Sequence, residues 1–192
     1  MVEQIPMERS EKLSKLHEKY NVITYDERYG PYIEDEIAER DKKANCQRYV
    51  RDAIEAYFGV SLPSTYLSNE IFNCLGGLFD KIELGDEIAG DIFLLGPPID
   101  PVKLNPKSLH LTFFEGEYEG ENNPLLRHFH GNAKKTGLKN YSLDKFQDRI
   151  HVKDYGKVWG IRRIIPENIL SFDISLLPTN EEVMAYFDRV KS

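Results

Sequence analysis

No stretch of the 192 residues approaches the roughly 20 consecutive apolar residues that a membrane-crossing helix needs. Met1 to Ser10 is polar and lacks the apolar centre of a secretory leader. As it stands, the chain reads as cytoplasmic; a secreted protein would have had a leader removed from it. Basic charge is also short: 25 Lys and Arg face 32 Asp and Glu, a net charge of −7. Phosphate neutralisation draws on clustered Lys and Arg, so no nucleic-acid partner is expected, and no membrane partner either. Two cysteines, Cys46 and Cys74, are too few for a disulfide framework. No glycine-rich phosphate loop follows a strand-like run, and there are no internal repeats. No cofactor is called for. What is there is 41% hydrophobic and 30% charged, the composition of one globular domain with a real core.

The chain is organised around residues 45–59. Asn45 is a good helix N-cap, since its side-chain oxygen can take an unpaired N–H of the first turn. Tyr49, Val50, Ala53, Ile54, Tyr57 and Phe58 recur at helical spacing, and Gly59 supplies the stop. Cys46 thus opens an amphipathic helix. The partial positive charge there favours an anion, and a thiol so placed ionises more easily to the reactive thiolate. The alternative is an ordinary small buried cysteine. Cys74, in Ile71-Phe72-Asn73-Cys74-Leu75, reads as core.

Upstream, Glu8 to Tyr20 predicts a charged helix, in which His17 has no chemical role. Tyr25 to Tyr32 predicts a turn-rich loop broken at Gly30-Pro31. Ile33 to Lys43 reads as an exposed helix or loop. Downstream, Ser68 to Phe79 predicts a second helix ended at Gly76-Gly77. Gly90 to Gly96 is a short apolar run between turn residues, a buried strand. Four prolines make residues 97–106 a loop. In Ser108 to Glu115, period two puts His110, Thr112 and Phe114 on one face and Leu109, Leu111 and Phe113 on the other. After a polar hairpin loop, Leu125 to His130 returns with Leu126, His128 and His130 on a common face. Gly131 to Gly137 reads as a turn, Ser142 to Phe146 as a helix start, Lys157 to Ile165 as a strand and Asn180 to Val190 as a last amphipathic helix. His151 reads as surface, Arg162-Arg163 as structural and Glu115 to Glu121 as a solvated hairpin. Helices followed by strands in hairpin succession give an α+β class, an antiparallel sheet packed against helices.

A nucleophilic cysteine needs a base for its proton and a third group to hold that base in one tautomer. Cys46 on a helix start, His110 on a strand and a polar residue on the neighbouring strand meet that need. A helix N-terminus packed against the sheet would aim the sulfur at the strand surface. The Cys46 backbone N–H is an available oxyanion donor. The competing reading makes His128 and His130 metal ligands with Cys46 or His110, but no acidic or second-cysteine ligand accompanies them.

The segments Asn45-Cys46-x-x-Tyr49-Val50, Gly90-Asp91-Ile92-Phe93-Leu94 and His110-Leu111-Thr112-Phe113-Phe114-Glu115-Gly116, in that order, resemble the NlpC-type cell-wall cysteine peptidase family of the papain-like superfold. Phe129-His130-Gly131 stands where that family carries its third polar residue, and Val158 to Arg163 resembles its closing strand. Gln47-Arg48 replaces the family's Ser-Gly, and Thr112 its glycine. The resemblance implies Cys46 as nucleophile, His110 as base and His130 as third member, with His128 the alternative. It implies Tyr32, in Gly30-Pro31-Tyr32, as the tyrosine that assists at the substrate. No metal is implied. Residues 41–192 would be the thiol hydrolase domain, and 1–40 an N-terminal extension. The substrates implied are peptidoglycan-type peptides; the alternatives are a small-molecule amidase or acyltransferase of the same fold, or an inactive binding module.

Overall fold

The computed structural model describes residues 7–130, 138–148 and 152–190; the expected turn at 131–137 and His151 lie outside them. In chain order come α1 (Met7–Asn21), β1 (Thr24–Tyr25), α2 (Asp35–Asp41), β2 (Lys43–Ala44), α3 (Cys46–Phe58) and α4 (Ser68–Asn73). Then follow β3 (Phe79–Ile82), β4 (Ile92–Gly96), β5 (His110–Tyr118), β6 (Pro124–Phe129) and β7 (Leu138–Ser142). The chain continues through α5 (Leu143–Asp148), α6 (Val152–Tyr155), β8 (Lys157–Ile164), α7 (Pro166–Ile169) and α8 (Asn180–Val190). The six strands β3-β8-β4-β5-β6-β7 form one sheet in that order, every neighbour antiparallel. The α+β class and the antiparallel sheet against helices are as the sequence predicts.

Two cores lie on the two faces of the sheet. Leu94, Leu111, Phe113 and Phe129 pack with Tyr49, Val50, Ala53 and Ile54 of α3 and with Leu13, Leu16 and Tyr20 of α1. The first described part of segment 1–40 is therefore built into the main core. On the other face Phe93, Leu95, Phe114, Leu126 and Ile161 pack with Leu143 and Phe146 of α5. The strand alternation forces this division, because successive side chains leave a strand in opposite directions.

Three local expectations change. The helix expected over Ser68 to Phe79 stops at Asn73, because Cys74 takes the left-handed conformation, and Phe79–Ile82 becomes an edge strand on β8. Its short length hides it from pattern reading. Cys74 is half-buried, not core. Glu115 is not solvated: it pairs with His17 at 2.7 Å and with Arg127 at 3.2 Å, tying α1 to the sheet. Burial raises the Glu115 carboxyl, but His17 and Arg127 outweigh it and hold the group below its usual range. Among the described residues no helix is long and apolar enough to cross a membrane.

Gly90-Asp91 has a structural reason. Gly90 sits at φ 102, and a Cβ there would lie 2.5 Å from the Phe58 ring at the end of α3. Asp91, almost fully buried, accepts two hydrogen bonds from Arg163 on β8, at 2.8 and 3.0 Å, and one from the Ile88 N–H. Removing Arg163 leaves a buried carboxylate short of its partner. Arg163→Ala is expected to lower stability by about 2–3 kcal/mol, since loss of one partner strands the other charge. On a chain of this size that is a fall of roughly 4–12 °C in melting temperature, read by circular dichroism.

Candidate active site

Asn45 caps α3 as the sequence predicts. Its Oδ1 accepts the Arg48 N–H at 3.0 Å, and its Nδ2 donates to the Glu27 carbonyl at 3.1 Å, so the cap also fixes the loop after β1. Arg48, buried, donates to the Asp35 carboxylate and to the carbonyls of Gly30 and Ile33. Gln47 Oε1 accepts the Ser68 N–H at 3.2 Å. The first turn of α3 is thus held from both sides, and Cys46 has little freedom. The backbone N–H groups of Cys46, Gln47 and Leu111 favour the charged form of its thiol.

By alternation His110, Thr112 and His128 belong to the face of Phe114 and α5, whereas the body of α3 packs on the opposite face. The β5–β6 ladder is paired at Phe114↔Leu126 and Phe113↔Arg127 and stops before His110. Cys46, the first residue of α3, and His110, the first residue of β5, line one cavity.

His110 Nε2 lies 3.1 Å from His128 Nδ1. The two rings are edge-on, 5.2 Å between centroids, and the ring of Phe146 stands 4.8 Å from that of His128. His130 is farther away, its ring 5.7 Å from His110 and 5.5 Å from Tyr25. Of the two candidates for third member, His128 is thus the one in hydrogen-bond contact with His110. Both were visible from the period-two pattern; which one touches was not, because alternation assigns faces and not contacts.

A cavity of about 320 Å³ is lined by Cys46, His110, Tyr25, Glu27, Tyr155 and Phe187, among others. Tyr155 covers His110, with centroids 4.6 Å apart. Burial, then the nearby Cys46, hold the phenols of Tyr25 and Tyr155 well above their ordinary range. Sequence reading picked out none of these aromatic neighbours, since they come from a two-residue strand, a one-turn helix and the last helix of the chain. Tyr32 is elsewhere: it is buried, stacks on Phe187 at 5.2 Å and does not line this cavity. Tyr25 occupies the position by the sulfur instead.

Burial pushes the Cys46 thiol up to about 11, against the three N–H groups that pull it down. The helix-start effect is present but loses to desolvation. Burial thus favours the thiol over the thiolate at neutral pH. Iodoacetamide labelling of Cys46 is expected to rise about tenfold per pH unit from 7 to 10, because only the thiolate reacts. Peptide mapping at each pH reads this; a rate that levels off below pH 7 would mean a thiolate at rest. Among the described residues no group of three or more His, Cys, Asp or Glu is arranged to hold a metal ion.

No protein-family model matches the sequence, and no curated protein is a significant match. Among solved structures, the chain is similar to a Staphylococcus aureus subsp. aureus Mu50 protein described as similar to lipoprotein, of the NLP/P60 family, with a TM-score of 0.48 and 15% sequence identity. The likeness covers 85% of this chain and 44% of that one, so the chain spans less than half of that protein.

Proposed function

We propose that this chain is a thiol hydrolase that cleaves amide bonds through an acyl-enzyme. The observation that supports it is the cavity lined by both Cys46 and His110, with His110 Nε2 in contact with His128. The tautomer follows from the role. If His128 Nδ1 accepts the proton of His110 Nε2–H, then His110 Nδ1 keeps its lone pair and can act as the base; the reverse donation would leave Nδ1 protonated. His110 Nδ1 takes the Cys46 proton as the sulfur attacks the carbonyl carbon. The oxyanion that forms is met by backbone N–H at the start of α3, where the helix field is positive. Collapse breaks the C–N bond, and the leaving amine takes the proton from His110. Water then attacks the thioester, giving a proton to His110; the C–S bond breaks, the carboxylic acid leaves, and His110 returns the proton to the sulfur.

The raised thiol makes His110 necessary, since too little thiolate forms unaided. The substrate reading is short peptides of peptidoglycan type, supported by the ordered motifs around Cys46, Gly90-Asp91 and His110. An amidase or acyltransferase on a small molecule would use the same acyl-enzyme. One observation favours a second reading: a buried, protonated thiol also suits a module that kept the fold and lost turnover.

Cell-wall muropeptides incubated with the protein and analysed by mass spectrometry test the reading. Cys46→Ala should abolish cleavage, and His110→Ala should lower kcat by about 10²–10⁴-fold, the usual contribution of a positioned base. His128→Ala should lower kcat more than His130→Ala does, since His128 is the one within hydrogen-bond distance of His110. A larger loss for His130→Ala would make His130 the third member. No cleavage by the unaltered chain would favour the binding module.

A further inference from the structure

We infer that Phe187, on the C-terminal helix, sets the size of the acyl group that reaches Cys46. This deepens the thiol-hydrolase reading and rests on it for the identity of the ligand. Three neighbouring cavities meet at this residue. One is the cavity of Cys46, about 320 Å³. The second, of about 500 Å³, runs between α4 and α8 past Leu67, Leu177 and Val183. The third, of about 290 Å³, lies by Tyr32, Ile37 and Met184. Of the described residues, Phe187 alone lines all three. Tyr186 and Lys107 share with it the wall between the first two, and between the first and the third Phe187 is the one common residue.

The ring is fixed on two sides. Tyr32 stacks on it with an interplanar angle of 15°, and the Tyr186 ring meets it edge-on at 5.3 Å. One turn earlier, Val183 is buried with Tyr32 and Leu67, a small cluster that docks the helix. Tyr186 is held in turn: Asn105 Nδ2 donates to its hydroxyl at 3.0 Å, and Lys107 Nζ stands 4.2 Å over its ring. The partition is therefore built, not a chance contact of a loose end. A cavity of 320 Å³ is at the lower end of the range for small ligands. With Phe187 in place it takes a compact acyl group, of one or two residues. Without the ring, it would open into the 500 Å³ groove and admit a longer chain.

The test reads access to the thiol directly and needs no turnover. In a Cys74→Ser background, the rate of Cys46 modification by iodoacetamide is compared with that by a bulky fluorescein maleimide. Phe187→Ala should raise the maleimide rate about tenfold or more and the iodoacetamide rate by less than about threefold, the scale on which pocket size discriminates. Val183→Ala, which weakens the docking of the same helix and keeps the ring, should leave the ratio of rates unchanged. An unchanged ratio in Phe187→Ala, or an equal rise in Val183→Ala, overturns the proposal. Thermal melts check folding, and Phe187→Leu gives the same reading should the alanine variant not fold. If the ratio shifts but no variant turns over substrate, the hydrolase reading fails and the partition stands. If short peptides are cleaved and longer ones gain nothing in Phe187→Ala, the partition fails and the hydrolase reading stands.

Discussion

The capped and buried first turn of α3 is the constraint on which the site depends. The body of α3 packs on one face of the sheet, and alternation assigns His110 to the other. Cys46, the first residue of that helix, and His110, the first residue of β5, nevertheless line one cavity. The side chains that fix the turn therefore fix where the sulfur stands in that cavity.

Three side chains hold that turn in place. Asn45 spans two elements, Gln47 holds the start of α4, and Arg48 holds the loop from Gly30 to Asp35. The same burial withholds charge from the sulfur. Three backbone N–H groups pull toward the thiolate, and desolvation pushes harder the other way.

Much of this was legible in the residues. The span of α3, its cap and its glycine stop follow from Asn45, the 3.6-residue periodicity and Gly59. Alternation on β5 and β6 put His110, His128 and His130 on one side. What was not legible was long-range. Period two assigns faces but not which side chains share a cavity or touch, so the lining of one cavity by Cys46 and His110, and the contact of His110 with His128, follow from the fold alone. Tyr25 lies on a two-residue strand, too short to carry a pattern, and Tyr32 was favoured for its place after Gly30-Pro31. Cys74 and Phe79–Ile82 were misread for one reason. A left-handed residue other than glycine ends α4 without announcing itself.

The most direct test of the account is acyl transfer to the thiol. The folded protein is treated with p-nitrophenyl acetate at pH 7.5 and its cysteine peptides are mapped by mass spectrometry. The account predicts an acetyl adduct on Cys46 in the unaltered chain, lost in His110→Ala, with the half-buried Cys74 reacting no faster than a free thiol. An adduct that forms equally well without His110, or forms on Cys74 in preference to Cys46, would contradict it.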